Sequence, residues 1–151
     1  MKLIVMRHGE AEQWANSDAE RQLTLRGQKD NTQVLAALLA RHSPSLLCAS
    51  PFVRAQQTAQ RCSEMCKQPI ITSSLLVPDA PIHSTLDWLR HVLEEQQTVM
   101  LVSHMPLVGE LLGWLLGTDG EPLGTSEVRV VTMDVVEYGC AMAEGRWIAA
   151  R

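Results

Sequence analysis

The stretch Leu3-Ile4-Val5-Met6-Arg7-His8-Gly9 decides how this chain folds: an unbroken apolar run, then a guanidinium, an imidazole and a glycine. A short continuous apolar run with polar flanks is the pattern of a strand buried on both faces. Such strands belong to parallel sheets that helices cover from either side. The run stops at Arg7-His8, so the strand's carboxyl end presents those two side chains. Gly9 beside them removes a side chain where a ligand must approach the backbone.

Two further segments repeat the pattern. Leu46 to Ala49 is a second strand, stopped by Ser50-Pro51, and Thr98 to Ser103 is a third, ending at His104. Between the strands the apolar spacing turns helical. Thr24 is the N-cap of a helix running to about Arg41, with Val34, Leu35, Leu38 and Leu39 inward. Pro51 opens a second helix at its first turn, along which Phe52, Ala55, Ala59, Cys62 and Cys66 fall near helical spacing. Ile82, Leu86, Leu89 and Leu93 form the stripe of a third, and Pro106 opens a fourth with Val108, Leu111, Leu112 and Leu115 inward.

Residues 10–23 read as a polar loop, and 69–81, with three prolines, as irregular apart from a short strand near Ile70-Ile71. Glu127 to Val136 reads as a strand, and Glu144-Gly145 as the turn of a closing strand pair. Alternating strands and helices predict an α/β fold: a single-domain three-layer sandwich over residues 1–151, its sheet mostly parallel with helices on both faces.

Composition narrows the class of partner. The hydrophobic fraction is 46%, with only four Trp, one Tyr and one Phe, so aliphatic side chains fill the core. A formal charge of -4, with no lysine-rich run, argues against nucleic acid and anionic lipid as partners. An anion would have to be held in a local pocket that opposes the global charge. No segment reaches the roughly 18 apolar residues of a membrane helix, and Met1 to Met6 does not read as a signal peptide. Cytoplasm is the expected compartment and a monomer the expected state. Cys48, Cys62, Cys66 and Cys140 read as buried thiols rather than a zinc site, since no CxxC or HxxxH pair accompanies them. His42, His83 and His91 have no motif around them and are expected on the surface, while Trp88 and Trp114 are expected in the core.

Three segments, Arg7-His8-Gly9, Ser50-Pro51-Phe52-Val53-Arg54-Ala55 and Ser103-His104-Met105-Pro106, each follow a buried strand or start a helix. In open α/β sheets ligands gather at the carboxyl ends of the strands, so two histidines and two arginines are expected at one edge. The chemistry of that set is legible. A neutral imidazole nitrogen is a nucleophile toward phosphorus, and guanidinium forks match phosphoryl oxygens. Helix N-termini after Ser50 and Ser103 add backbone N–H groups.

These motifs in this order resemble the histidine phosphatase superfamily, which includes the phosphoglycerate mutases. The residues that carry the resemblance are Arg7-His8-Gly9, Ser50-Pro51 with Arg54-Ala55-Gln56-Gln57-Thr58-Ala59, and Ser103-His104. The short length, Asp18 and Arg21 ahead of Leu23-Thr24, and Ser103 to Gly109 resemble its small bacterial phosphohistidine phosphatases more closely. The resemblance implies that His8 is the phosphorylated nucleophile and that Arg7 and Arg54 bind the phosphoryl oxygens. It implies further that His104 stabilises the transition state from the opposite wall and that Arg21 adds a phosphate contact. A phosphoglycerate mutase-like fold is implied too. No metal or cofactor is expected, because the arginines supply the positive charge.

The general acid is the missing part. Larger relatives carry a carboxylate in an inserted segment after the second arginine; here Asp79 is the only acid between Met65 and Leu86. Asp18 and Glu10 are the other candidates by loop position, and Asp79 reads rather as a plain turn residue. An alkoxide leaving group needs a positioned acid, whereas a phosphohistidine departs as neutral imidazole when its other ring nitrogen is protonated. Weak acid provision and too little chain for a cap over the site both favour a phosphohistidine on another protein as substrate, with a phosphotransfer domain of a signalling relay as one candidate. The rival readings are a small-molecule phosphomonoesterase and a non-catalytic phosphate-binding module.

Overall fold

A computed structural model describes residues 1–150 of the chain. Six strands form one sheet in the order β3-β2-β4-β1-β5-β6, where β1 is Lys2–Arg7, β2 Leu46–Ala49, β3 Ile70–Thr72, β4 Thr98–Ser103, β5 Val128–Thr132 and β6 Met142–Trp147. The pairs β1–β4, β2–β4 and β2–β3 are parallel; β5 runs antiparallel to β1 and to β6. Helices α1 (Leu25–Leu39), α2 (Val53–Cys66), α3 (Ile82–Glu95) and α4 (Leu107–Leu116) cover both faces.

The unbroken apolar runs follow from that double cover. Successive strand side chains point to opposite faces. Leu3, Val5, Val99 and Leu101 pack with Leu86, Leu89, Leu111 and Leu115 of α3 and α4. Ile4, Met6, Met100 and Val102 pack with Val34, Leu35, Ala55 and Ala59 of α1 and α2. Each fully buried aliphatic side chain of this kind contributes about 1.5–3 kcal/mol. The expected α/β sandwich is therefore the observed one.

Several local expectations are corrected. Helix α1 starts as read, Thr24 Oγ1 accepting from the Gly27 N–H at 3.0 Å. Helix α2 begins two residues beyond Pro51, because Ser50 Oγ first accepts the Phe52 N–H at 3.2 Å and holds a turn there. The loop of residues 10–23 contains a 3-10 turn, Asp18–Glu20, and is pinched at its base by a bridge between Ala11 and Leu23. Glu144-Gly145 is not a turn. Both residues lie inside β6, where Val130 pairs with Gly145 but Val131 with Ala143, so Glu144 is the extra residue of a bulge. A glycine at a bulge and a glycine at a turn leave the same mark in a sequence.

His42 is buried rather than exposed: Lys2 Nζ donates to its Nδ1 at 3.1 Å and its ring meets the edge of Trp147 at 5.3 Å. Of the thiols, Cys48 and Cys62 are buried, Cys66 is half-buried and Cys140 is exposed, against the expectation of burial for all. His83 and His91 are exposed as read. Trp88 and Trp114 lie half-buried against the core that α3 and α4 share. Among the described residues no helix is long and apolar enough to cross a membrane.

Candidate active site

Strand β4 lies between β1 and β2, and all three point the same way, so their carboxyl ends stand side by side. Arg7 pairs with Ser103 across one ladder and Ala49 with Val102 across the other. Beyond the ladders, the His8 N–H donates to the Ser103 carbonyl at 3.0 Å and the Ser50 N–H to the Val102 carbonyl at 3.1 Å. This registration brings the rings of His8 and His104 to 5.1 Å between centroids, tilted by 56°. Arg54, on the first turn of α2, reaches in beside His8, its Nε 3.3 Å from His8 Nε2. The residues that the sequence placed at one edge do meet there.

The protonation of His8 follows from its partners. Its Nδ1 lies 2.7 Å from the Gly9 carbonyl oxygen, which only accepts, so Nδ1 carries the proton. Nε2 then holds the lone pair, facing the Arg54 Nε–H. Burial pushes the His8 imidazole down to about 4, against the Gly9 hydrogen bond and helped by Arg54, Arg7 and Arg21. His104 falls to about 3, through burial first and then the charges of His8 and Arg54. Both rings are neutral at pH 7.

Ser50 Oγ already accepts the Phe52 N–H, and His104 Nε2 lies 2.8 Å from it. In the tautomer that takes the Ser50 hydroxyl proton at Nε2, neutral His104 carries its own proton on Nδ1. That buried Nδ1 has no hydrogen-bond partner in the protein, and neither has buried Arg7 Nε, although Arg7 Nη1 is fixed on the Leu123 carbonyl at 2.8 Å. A buried donor left unmet costs about 1–3 kcal/mol. Two of them, one on the ring packed 5.1 Å from that of His8 and one on the residue before it in the chain, are groups that an entering oxyanion could satisfy. Phe52 closes the side wall, its ring 5.0 Å from that of His104 and 5.2 Å from Arg54 Cζ.

Beneath His8 lies a polar network that sequence reasoning missed. Thr58 Oγ1 accepts the Gly9 N–H at 3.1 Å and the Asn31 Nδ2–H at 3.0 Å, and donates to the Arg54 carbonyl at 2.9 Å. Ser126 Oγ donates to Asn31 Oδ1 at 2.7 Å, and the Ser126 N–H donates to the His8 carbonyl at 3.0 Å. Asn31, Thr58 and Ser126 are all buried. They tie the backbones of His8, Gly9 and Arg54 to one point.

Arg21 and Asp18 arrive together. Arg21 Nε donates to Asp18 Oδ1 at 2.9 Å, and Arg54 Nη2 donates to Asp18 Oδ2 at 3.2 Å. Burial would raise the Asp18 carboxyl, but the bonds from Arg21 and Arg54 outweigh it and hold it below the usual range. Glu10 is occupied, its Oε1 accepting from Thr24 Oγ1 at 2.9 Å. Asp79 is exposed in a turn that the Ala80 N–H closes onto the Val77 carbonyl at 3.1 Å. Among the described residues, no three His, Cys, Asp or Glu side chains cluster so as to hold a metal ion.

Comparison with known proteins places the chain among relatives. A family model described as the histidine phosphatase superfamily (branch 1) matches residues 3–77. The chain is 35% identical over 129 residues to the phosphohistidine phosphatase SixA homolog of Haemophilus influenzae, covering 78% of each chain. It is 31% identical over 140 residues to the phosphohistidine phosphatase SixA of Escherichia coli, covering 89% of this chain and 86% of that one. Among solved structures, the protein histidine phosphatase SixA complexed with tungstate superposes with a TM-score of 0.89 at 27% identity, covering 98% of this chain and 97% of that one.

Proposed function

The chain belongs to the histidine phosphatase superfamily, and from that premise we propose that it is a protein phosphohistidine phosphatase working through a phospho-His8 intermediate. The observation that carries the reading is the neutral His8, its Nε2 lone pair beside Arg54 and its neighbours His104 Nδ1 and Arg7 Nε unpartnered. A site that only bound phosphate would need the arginines alone. The relative solved with tungstate holds an oxyanion of phosphate's shape.

The proton balance of transfer favours this substrate. Nε2 of His8 forms a bond to phosphorus as the P–N bond to the substrate histidine breaks. The substrate imidazole, protonated on its other nitrogen, leaves neutral. Phospho-His8 is then the phosphoimidazolium, its Nδ1–H already given to the Gly9 carbonyl at 2.7 Å. Water next attacks phosphorus, the electron pair returns to Nε2, and the water's proton leaves with the phosphate. One P–N bond replaces another in the first step, so a strong acid is dispensable. Arg7, Arg54 and Arg21 neutralise the phosphoryl oxygens, and neutral His104 donates from Nδ1 to an oxygen whose charge grows.

Access agrees with a protein substrate. The residues between α2 and β4 are spent on β3, a 3-10 turn at Ser74–Leu76 and α3, whose Leu86, Leu89 and Leu93 are buried in the core. Only short connections, residues 67–69, 73, 77–81 and 96–97, remain of that segment, too few for a cap domain over the site. We place the enzyme in the cytoplasm and read it as a single-domain monomer, with a phosphotransfer domain of a signalling relay as one fitting substrate.

The test is to incubate the protein with a phosphohistidine protein labelled on phosphorus and quench it in denaturant. Label should appear on His8 in an acid-labile, base-stable bond, and His8→Ala should take none while remaining folded. Label in the His8→Ala protein, or much faster turnover of a sugar phosphate than of the phosphohistidine protein, would overturn the reading.

A further inference from the structure

Arg54 already has a partner inside the chain for each of its donor nitrogens. Nε lies 3.3 Å from His8 Nε2, Nη1 donates to the Asp18 carbonyl oxygen at 2.7 Å, and Nη2 donates to Asp18 Oδ2 at 3.2 Å. Arg21 Nε holds the other carboxylate oxygen, Oδ1, at 2.9 Å. One carboxylate thus bridges two guanidinium groups with one oxygen apiece. Two equatorial oxygens of a phosphoryl group would bridge them in the same way.

The partners are unequally held. The Arg54 side chain is 4% exposed and fixed by the core, whereas that of Asp18 is 60% exposed on a 3-10 turn. When an anion enters, Asp18 is the side that yields. A proton donor it is not: a carboxylate accepting from two guanidinium groups is ionised at neutral pH and has no proton to give.

We propose that Asp18 is a resident anion which an incoming phosphoryl group must displace from Arg54 and Arg21, and that it is thereby a specificity-determining residue. The proposal rests on the reading of those arginines as phosphoryl ligands. Free phosphate and small phosphate esters bring only their own charge to the exchange and bind weakly. A phosphoryl group presented by a protein surface comes with further contacts along the rim, which offset the loss of the Asp18 bonds.

Calorimetric titration with orthophosphate and with tungstate, at fixed pH and ionic strength, tests this on the wild type and on Asp18→Asn, Asp18→Ala and Asp18→Glu. Removing the charge should tighten oxyanion binding about tenfold in the Asn and Ala variants, a change of about 1.4 kcal/mol. KM for an aryl phosphate should fall by a similar factor. Asp18→Glu retains the charge and should keep the weak binding of the wild type. Unchanged or weaker oxyanion affinity in both neutral variants overturns the proposal, as does equal tightening in Asp18→Glu. A kcat loss that grows with leaving-group basicity, with no change in oxyanion affinity, would restore Asp18 as the acid and likewise overturn it. If no variant binds either oxyanion while phosphate is still trapped on His8, only the displacement idea falls; if trapping fails too, the phosphatase reading falls with it.

Discussion

At the scale of single residues, the pocket works by keeping two imidazoles uncharged. A histidine in water is half protonated near 6.5 and a poor nucleophile below that. Burial takes His8 down to about 4, so its Nε2 lone pair is available throughout the physiological range. Protonation of His8 removes that lone pair, and the rate must fall as pH falls. After correction for substrate ionisation, kcat/KM should therefore stay level from pH 8 to about pH 5 and decline only towards about 4, where free His8 titrates. A midpoint near 6.5 in a stopped-flow pH series would show that His8 is hydrated and the pocket misread. Arg54 makes a second case. Its fork fits two oxygens and also touches His8 Nε2, which a lysine ammonium, a point charge on a flexible stem, does not reproduce. Arg54→Lys should lose about 10²–10³ in kcat, as removal of an oxyanion donor does elsewhere, with little change in melting temperature.

Elements act on the site through their carboxyl ends and through what lies beneath them. Gly9 is constrained by packing: a Cβ there would sit 2.8 Å from both Asn31 side-chain polar atoms and 2.9 Å from the Gly27 carbonyl oxygen. Gly9→Ala should destabilise the fold by about 1–3 kcal/mol through overpacking and shift the His8 backbone with it. Thr58→Val keeps the shape but leaves the Gly9 N–H and Asn31 Nδ2 without their acceptor. Its cost in a urea melt should be about 1–3 kcal/mol, with a kcat loss that Thr58→Ser largely restores; full activity in Thr58→Val would leave the network a purely structural feature. Gly9 was readable as a place of close approach, but the hydrogen-bond network of Asn31, Thr58 and Ser126 was not, and the reason is physical. The strands β1, β2 and β4 were legible because burial on both faces demands continuous apolar residues, and their ends located Arg7, His8 and His104. Asn31 and Thr58 sit on helices, where a polar side chain reads as a solvent-facing one. Ser126 adopts φ 63°, a conformation that nothing in its neighbours announces. His42 escaped notice because its partners Lys2 and Trp147 lie at the two ends of the chain. Asp18 was visible as a loop carboxylate, yet its grip on Arg54, 36 residues away, belongs to the folded molecule alone.

Over the whole molecule, the burial that makes His8 reactive also sets a limit on stability in acid. A group whose pKa is lower folded than unfolded draws the equilibrium towards the unfolded state as protons become available. His8 and His104 titrate near the ordinary 6.5 when unfolded but only at about 4 and about 3 when folded. Between those values the unfolded chain binds more protons, so stability is full above pH 6.5 and drains away as pH falls towards 4 and then 3. Buried His42 is shifted in the same direction, by burial and the neighbouring Lys2. Asp18 and Glu127, both held below the carboxylate range by the arginines that donate to them although desolvation opposes it, add losses of the same sign, but only as pH drops through about 4.5 and below, where unfolded carboxylates titrate. The two regimes are separable. Melting temperature should begin to fall between pH 6.5 and 5, before any carboxylate contributes, with a loss on the order of a few kcal/mol by pH 4.5. His104→Asn, which cannot take up the proton, should flatten that part of the curve while leaving the steeper fall below about pH 4 in place. A wild-type melting temperature constant from pH 7 to pH 5 would mean that the folded imidazoles take up protons as readily as unfolded ones, near pH 6.5, and His8 would then lose the lone pair that attacks phosphorus over that same range.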